Sequence, residues 1–541
     1  MKTKILGKLN PNEDIQEQFL TLRGLSKEWV QAGEEHFHDG RTLRHYNEAA
    51  ALIEKHIRNG SKIAILTDGD FDGLSSASIM YQWLLDKNSN LQLIPIVPEG
   101  KTHGIVHTNM IPECDLLITP DASSSEGEKH KILMDKGVDI LVLDHHEFLN
   151  YDSKAVIINP HHKDCPYPNK NLSGAGVVYK FTEAYDKERN SEDYKKYIDL
   201  AAASIVADVM SLRSMENKAI VNIGLANIHN GFFRAFLDYD RRVQGKPVSP
   251  IIVGFYFAPI INAVIRVGTV EDKQQIFRAL VGEASPQAVI ASSISLKGKQ
   301  DRNKESVIPR IVMGLQKSQR DQNKIVFAEA PNTLNKSSSG LVAGNLAGMY
   351  QKPTFLMRER DGKYVGSARS LNGTNVENFK DFCEGSGLFE FVAGHQAAFG
   401  GSITKENLEK FIEYANENLP KVEKHFTVDF DIANLSPADK ANAIEQLFAL
   451  DSHIGNDITP ILLHDEIDIA PEDIQLIGKN NNTLKIYKNG IVYIKFKAKN
   501  YELPTTMKTY RIVGKPNMNE WNGDTTPQLF IEELEEKELA L

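Results

Sequence analysis

The chain has 541 residues and a formal net charge of −10, with 41% apolar and 25% charged residues. At about 150 residues per domain this is three to four domains of ordinary globular composition, which excludes collagen-like, mucin-like and mostly disordered chains. No window of about 20 apolar residues exists, the start lacks a signal-peptide core, and Cys114, Cys165 and Cys383 lie too far apart for a disulfide framework or a zinc cluster, so a cytoplasmic, membrane-free chain is expected.

Residues 1–45 carry no clear pattern, and the spacing predicts a helix over Asn47–Ile57, closed by Gly60. Short apolar runs follow, at Lys62–Thr67, Leu91–Val97, Leu116–Thr119, Ile140–Leu143 and Ala155–Ile158, with a helical pattern over Leu74–Leu85. Strands separated by helical stretches predict βαβ units and a parallel sheet. Gly174–Tyr185 and Tyr194–Val209 read as helices, and a Gly/Pro-containing stretch spans about 245–268. The segment 271–325 reads as a long helix or a helix pair. Over 297–324 it carries Lys297, Lys299, Arg302, Lys304, Arg310, Lys317, Arg320 and Lys324 against Asp301, Glu305 and Asp321. Such a run is either a solvated helix face or a surface for a phosphate backbone.

A second α/β pattern occupies 325–415, with strands at Ile325–Ala328, Thr354–Met357 and Val365–Ser367 and a helix at Ser339–Met349. Beyond it, Ile469–Ile477, Thr483–Lys488 and Ile491–Lys497 read as strands split by Asn/Gly turns, an all-β module that is either a small barrel or a sandwich. The end, IEELEEKELAL, reads as an acidic amphipathic tail.

The loop after the first strand is Thr67-Asp68-Gly69-Asp70-Phe71-Asp72-Gly73. Alternate carboxylates in an extended loop face one site and repel one another unless cations neutralise them. Hard divalent cations take oxygen ligands, and an EF-hand loop also opens with this spacing, but it needs an acid where Ile79 stands. Asp121 follows the third strand (LLIT-PDASSS), and Asp144-His145-His146 follows the fourth (ILVL-DHH). In an open parallel sheet such loops gather at the carboxyl edge, where ligands bind. Imidazole beside carboxylates suits manganese, iron or zinc, with magnesium as the alternative. Asp208, in AAASIVADVMSL, is a further candidate because a bare carboxylate in an apolar helix is costly.

TDGDFDG, ITPDASSS, LVLDHHE and SIVADVM resemble, in order, the four motifs of the DHH phosphoesterase superfamily. NPHHKDCPYPNKNLSGAGVVYKF (159–181), PIINAVIRVG (259–268), GSARS (366–370) and AGHQAAFGG (393–401) extend the resemblance to the RecJ-type exonucleases. The resemblance implies a parallel-sheet DHH domain over 46–268 after an N-terminal extension (1–45). A helical connector (269–325), a smaller α/β DHHA1 domain (326–425) and an OB-like β module with its acidic tail (426–541) complete the chain.

By the same resemblance Asp70 and Asp72 are metal ligands, and Asp68 ligates or supports from behind. Asp121 bridges two cations, and His145 and Asp208 complete the ligand set. Asp144 and His146 are the catalytic candidates, Asp144 orienting a histidine and His146 facing the scissile phosphate as ligand or charge stabiliser. Ser367, Arg369, Gly394 and His395 are expected to bind phosphates, and Asn262 and Arg266 to border the cleft. Ile260 stands where the family has an arginine, Ile265 and Ala393 where it has glycines, and NKSSSG (335–340) lacks the histidine common at its start. None of these departures is a proposed ligand, so they bear on substrate grip.

The implied activity is a two-metal phosphodiesterase that degrades single-stranded DNA from the 5′ end, with manganese first and magnesium second. A single-strand-binding protein or a helicase is the candidate protein partner, and the lack of long heptads favours a monomer. Two rivals stay open: a DHH hydrolase of short oligonucleotides or cyclic dinucleotides, and an inactive DNA-binding scaffold. The β module and the NPHHKDCPYP segment speak against the first, the intact Asp and His positions against the second.

Overall fold

The computed structural model describes residues 2–98, 103–107, 111–147, 152–371, 374–421, 425–478, 481–498, 504–521 and 523–537. Five parallel strands form the first sheet, in the order Gln92–Ile96, Lys62–Leu66, Leu116–Pro120, Asp139–Leu143, Val156–Ile158. Ile63 to Leu66, Leu116 to Ile118 and Ile140 to Leu143 are almost fully buried, as continuous apolar runs in a covered parallel sheet should be. All five strands run the same way, so the loops at 67–70, 121–126 and 144–147 emerge from one edge.

The helix after the first strand is Phe71–Lys87, three residues longer at its start than its apolar pattern. Asp70 is the reason: its side chain accepts from the Gly73 N–H at 3.2 Å and caps the helix. Asp72 therefore lies in the first helical turn, not in an extended loop. Tyr194 similarly opens no α-helix; Asp193–Tyr197 is a 3-10 turn leading into Ile198–Ala207.

The Gly/Pro-containing stretch is helical. Pro250–Ile252, one π-helical turn at Val253–Phe257 and Ala258–Val267 form a continuous run. Proline has no N–H and its ring crowds the preceding turn, so the wider π turn sits directly ahead of Pro259. The run is apolar and long enough to cross a membrane, yet Ile260, Ile261, Val264 and Ile265 are core residues here. Two helices, Val270–Leu280 and Pro286–Lys317, make the connector. Of its basic residues, Lys297 and Lys304 pair with Asp301, and Arg320 pairs with Glu409. Lys299, Arg302, Arg310 and Lys317 make no ion pair among the described residues.

The second sheet runs Phe389–His395, Ala398–Thr404, Lys363–Arg369, Thr354–Arg360, Val326–Glu329, antiparallel except for its last pair. The third has eight strands and begins with Lys2–Lys8, which lies parallel to His425–Asp431. The first residues of the chain thus belong to the C-terminal sheet, a pairing across more than 400 positions that no local pattern announces. The acidic end is also not a tail: Asp524–Glu536 is a strand, paired antiparallel with Lys508–Trp521. Leu529, Ile531 and Leu534 are buried, while Glu532 and Glu536 pair with Lys515 and Lys508 at 2.9 and 2.8 Å. Residues 538–541 lie outside the described residues.

A buried lysine ties the first and third units together. Lys218 is 1% exposed, and its ammonium stands 4.3 Å over the Trp29 ring and 3.3 Å from the His453 carbonyl oxygen. Burial pulls it down to about 7. The unfolded chain holds this proton up to about pH 10.5 and the folded chain releases it near 7, so stability rises with pH across that window. Lys218→Met should flatten the rise and lift the melting temperature at pH 7 by a few degrees, read as the difference between two thermal-melt series; parallel series would refute it.

Candidate metal centre

Asp68, Asp70, Asp72, Asp121, His145, His146 and Asp208 all converge at the carboxyl edge of the parallel sheet. Three overlapping sets, Asp68/Asp70/Asp121, Asp72/His145/Asp208 and Asp121/His145/His146, each offer ligand atoms within 4.8 Å of one another. His145 Nε2 lies 3.1 Å from Asp121 Oδ1 and 3.6 Å from both Asp72 Oδ2 and Asp208 Oδ2. Asp208 sits at the C-terminal end of Ile198–Ala207 and, like His146, is partly open to solvent.

The backbone is built for this closeness. A Cβ on Gly73 would come 2.4 Å from Asp68 Cβ, and one on Gly174 would come 2.5 Å from Asp121 Cβ, so neither position admits a side chain without moving a carboxylate. Asp72 is fixed by the first N–H groups of Gly174–Glu188, accepting from Gly174 and Ala175 at 2.7 and 2.8 Å, and by the Ser204 hydroxyl. Asp121 adopts a left-handed φ of 64°.

Electrostatics ask for cations. Burial, then the charges of Asp72, Asp70, Asp68 and Asp208, pushes Asp121 well above the usual carboxylate range. Its Oδ1 is buried and accepts no hydrogen bond. Burial also lowers His145, leaving it a neutral imidazole suited to ligation. A set of carboxylate oxygens and one or two imidazoles fits hard or borderline divalent cations.

Asp144 does not face the ligand cluster. Its carboxylate accepts from the N–H groups of His145 and Ser124 and from His146 Nδ1 at 2.7, 3.1 and 2.8 Å. Burial alone would raise Asp144, but the hydrogen bond and charge of His146 outweigh it and hold the carboxyl low. In return His146 is raised to about 9 despite its burial. Asp144 thus turns His146 so that Nε2 is left for the site. Asn159 locks the two loops, donating to Ser124 Oγ and to the His146 carbonyl at 2.9 and 3.0 Å.

Sequence reasoning did not single out His103. Its Nδ1 lies 3.0 Å from Asp68 Oδ1 and its ring 4.7 Å from that of His146. A lone histidine in a loop gives no signal of this. Gly174, Ser204 and Asn159 lay within quoted motifs, but only the fold reveals what they hold.

The predicted phosphate-binding residues divide. Asn262 Oδ1 accepts from the Phe71 N–H at 3.1 Å and braces the Asp70–Asp72 turn. Arg266 lies near Asp70 on one side and Arg369 on the other, and burial depresses both guanidiniums, Arg369 further through the charge of Arg266. Ser337 of the second domain donates to the Arg266 carbonyl at 2.6 Å. Arg369 crosses Gly340 in the first turn of Ser339–Tyr350, where a Cβ would come 2.4 Å from Nη2. Register places His395 opposite Ala398 and Ala398 opposite Arg369, so the three share one face at one sheet end, with Ser367 two residues along. Gly394 has a φ of 133° and no room for a Cβ, a demand of the hairpin itself. Ile260, where an arginine was expected, is 4% exposed and belongs to the core.

A parallel sheet whose carboxyl edge gathers these acids and histidines defines a DHH-type phosphoesterase, a metal-dependent hydrolase. The DHH family N-terminal domain model matches residues 62–205, the DHHA1 domain 322–421 and the RecJ OB domain 455–533. The chain is 30% identical, over 99% of its length, to a prophage-derived protein of Bacillus subtilis (strain 168) provisionally named a single-strand DNA-specific exonuclease, 98% of which is covered. It is 27% identical, over 93% of its length, to RecJ of the same organism, of which 65% is covered. The crystal structure of RecJ in complex with Mn2+ from Thermus thermophilus shares the fold, with a TM-score of 0.78 over 99% of this chain and 80% of that one, at 22% identity. The chain belongs to the RecJ family of single-strand-DNA-specific exonucleases.

Proposed function

We propose that this chain removes nucleotides from the 5′ end of single-stranded DNA, releasing nucleoside 5′-monophosphates, in DNA repair and recombination. The observation that carries the reading is the convergence of Asp68, Asp70, Asp72, Asp121, His145 and Asp208 on one site, where their ligand atoms form overlapping sets within 4.8 Å. These residues would hold two divalent cations, manganese first, with Asp121 shared by two of the three overlapping sets. Bound there, the cations would activate a water and neutralise charge developing on the phosphate.

The chain's own groups divide the remaining work. Asp72, tied to two backbone N–H groups and a serine, keeps its place when the site is loaded or empty. Asp144 orients His146, whose Nε2 then meets a non-bridging phosphate oxygen as a charged donor. Arg266 and Arg369 grip phosphates further along the strand. The relatives named as single-strand DNA-specific exonucleases support the substrate class.

An oligonucleotide of about 40 nucleotides, longer than the roughly 4–16 nucleotides that a single-strand site covers, labelled at either end and incubated with manganese or magnesium, tests this. Early release of a labelled mononucleotide from the 5′ label, with a ladder from the 3′ label, is expected. Release from the 3′ end would reverse the polarity. Cleavage of a dinucleotide but not of the long strand would favour the small-substrate reading.

A further inference from the structure

The carboxylates of the site are not held equally. Asp72 accepts from two backbone N–H groups and a hydroxyl, and Asp144 from two backbone N–H groups and an imidazole. Asp68 is buried as well, yet among the described residues no backbone N–H and no hydroxyl donates to it. What meets it is His103, whose Nδ1 stands 3.0 Å from Asp68 Oδ1. The negative charges of Asp70 and Asp121 would otherwise push the Asp68 carboxylate out of place.

His103 is itself set in place by the loop that carries Asp121. Glu126 of that loop accepts from the Ile105 and Val106 N–H groups at 2.7 and 3.2 Å, and Ser123 Oγ accepts from Ile105 at 3.2 Å. Gly104 lies between His103 and these contacts with a φ of 73°, and a Cβ there would come 2.4 Å from Glu126 Oε1, so only glycine lets the segment lie this close. Buried Ile105 anchors it from below. On the other side the His146 ring meets that of His103 edge-on at 4.7 Å. The loops of Asp68, Asp121 and Asp144 thus come together around one imidazole.

We propose that His103 is a positioning residue of the metal centre: its Nδ1–H holds the Asp68 carboxylate as a ligand in the Asp68/Asp70/Asp121 set, and Glu126 fixes the imidazole for that task. One neutral tautomer carries the Nδ1 proton as well as the charged ring does, so the hold does not depend on the charge of His103. A partner that orients a ligand from outside is typically worth about 10- to 100-fold in metal affinity. His103 acts on one set only, since the Asp72/His145/Asp208 set does not contain Asp68. The inference rests on the metal-centre reading.

The test is a calorimetric titration of the full chain, stripped with EDTA and dialysed, with manganese and no DNA. His103→Ala should weaken one of the two uptake steps by about 10- to 100-fold and leave the other as in wild type. His103→Asn should restore most of that step, because the asparagine amide N–H takes the place of Nδ1–H. His103→Gln, whose amide falls at the place of Nε2, should behave like His103→Ala. Glu126→Gln sets an amide N–H against the N–H groups of Ile105 and Val106 and should weaken the same step. In an Asp68→Ala background, adding His103→Ala should cost nothing more, because the two act as one unit. Two unaltered steps in His103→Ala, a loss shared by both steps, no rescue by asparagine, or a further loss in the double variant would overturn the proposal. If wild type takes up no manganese, the metal-centre reading fails first and this inference with it. If wild type takes up manganese as described but cuts no single strand, the nuclease reading fails and the role of His103 stands.

Discussion

Asp121→Asn should abolish hydrolysis of single-stranded DNA, by at least about a thousandfold, and at the same time make the metal-free protein more stable. A group that belongs to two ligand sets cannot be replaced by a neighbour, and loss of preorganised charge stabilisation costs two to three orders of magnitude or more in well-studied sites. The stability change has the opposite sign for a physical reason. Burial and four nearby carboxylates raise Asp121, so its ionised form is disfavoured in the fold. The penalty is absent at low pH and grows as pH rises past the ordinary carboxylate value near 4. Asparagine removes the charge, keeps the size and accepts the left-handed backbone at 64°. Melting curves at pH 8 in EDTA should therefore shift upward by a few degrees, and the rise that manganese gives wild type should vanish. A variant less stable in EDTA, or one still stabilised by manganese, would remove Asp121 from the centre of the site.

This opposition explains why part of the site was legible in the sequence and part was not. Aspartates at the ends of short apolar strands are a local pattern, and a parallel sheet brings such positions to one edge whatever the details. Asp68, Asp121 and the Asp144-His145-His146 run could be read in that way. Asp208 could be read because its sequence neighbours are apolar. Local spacing misjudged Asp72, which lies on a helix because Asp70 caps that helix. It also could not reveal His103, Gly174 or Asn159, since each acts through a contact between segments distant in sequence.

The fold divides along the same line. Buried parallel strands were visible as apolar runs, whereas Lys2–Lys8 was not, because its partner lies more than 400 residues on, and Asp524–Glu536 was not, because its many glutamates hide the apolar alternation that pairs it with the neighbouring Lys508–Trp521. The acid-rich end looked like a solvated tail. Its alternation of buried Leu529 and Ile531 with lysine-paired glutamates marks a strand once the partner is known.

The second large effect is expected at Arg369. Its guanidinium and that of Arg266 come from different domains, and burial and mutual repulsion act on Arg369 together. Arg369 also crosses the first turn of Ser339–Tyr350, where backbone N–H groups add positive potential. Three sources of like charge held together across a domain boundary are favourable only with an anion among them, and a phosphate takes guanidinium donors in pairs. Arg369→Ala should weaken single-strand binding in EDTA by about 10- to 100-fold, the worth of about 1.5–3 kcal/mol for hydrogen bonds to charged groups. The slope of log affinity against log salt should shrink by about 0.7 for each phosphate that is no longer neutralised. Arg266→Ala should act in the same direction, and the double variant should lose less than the sum, because the two share one ligand. Arg266 also stands near Asp70, so its loss, unlike that of Arg369, should disturb the metal loop and reduce the stabilisation that manganese provides. An unchanged salt slope in Arg369→Ala, or strict additivity of the pair, would show that the arginines do not meet on a common phosphate.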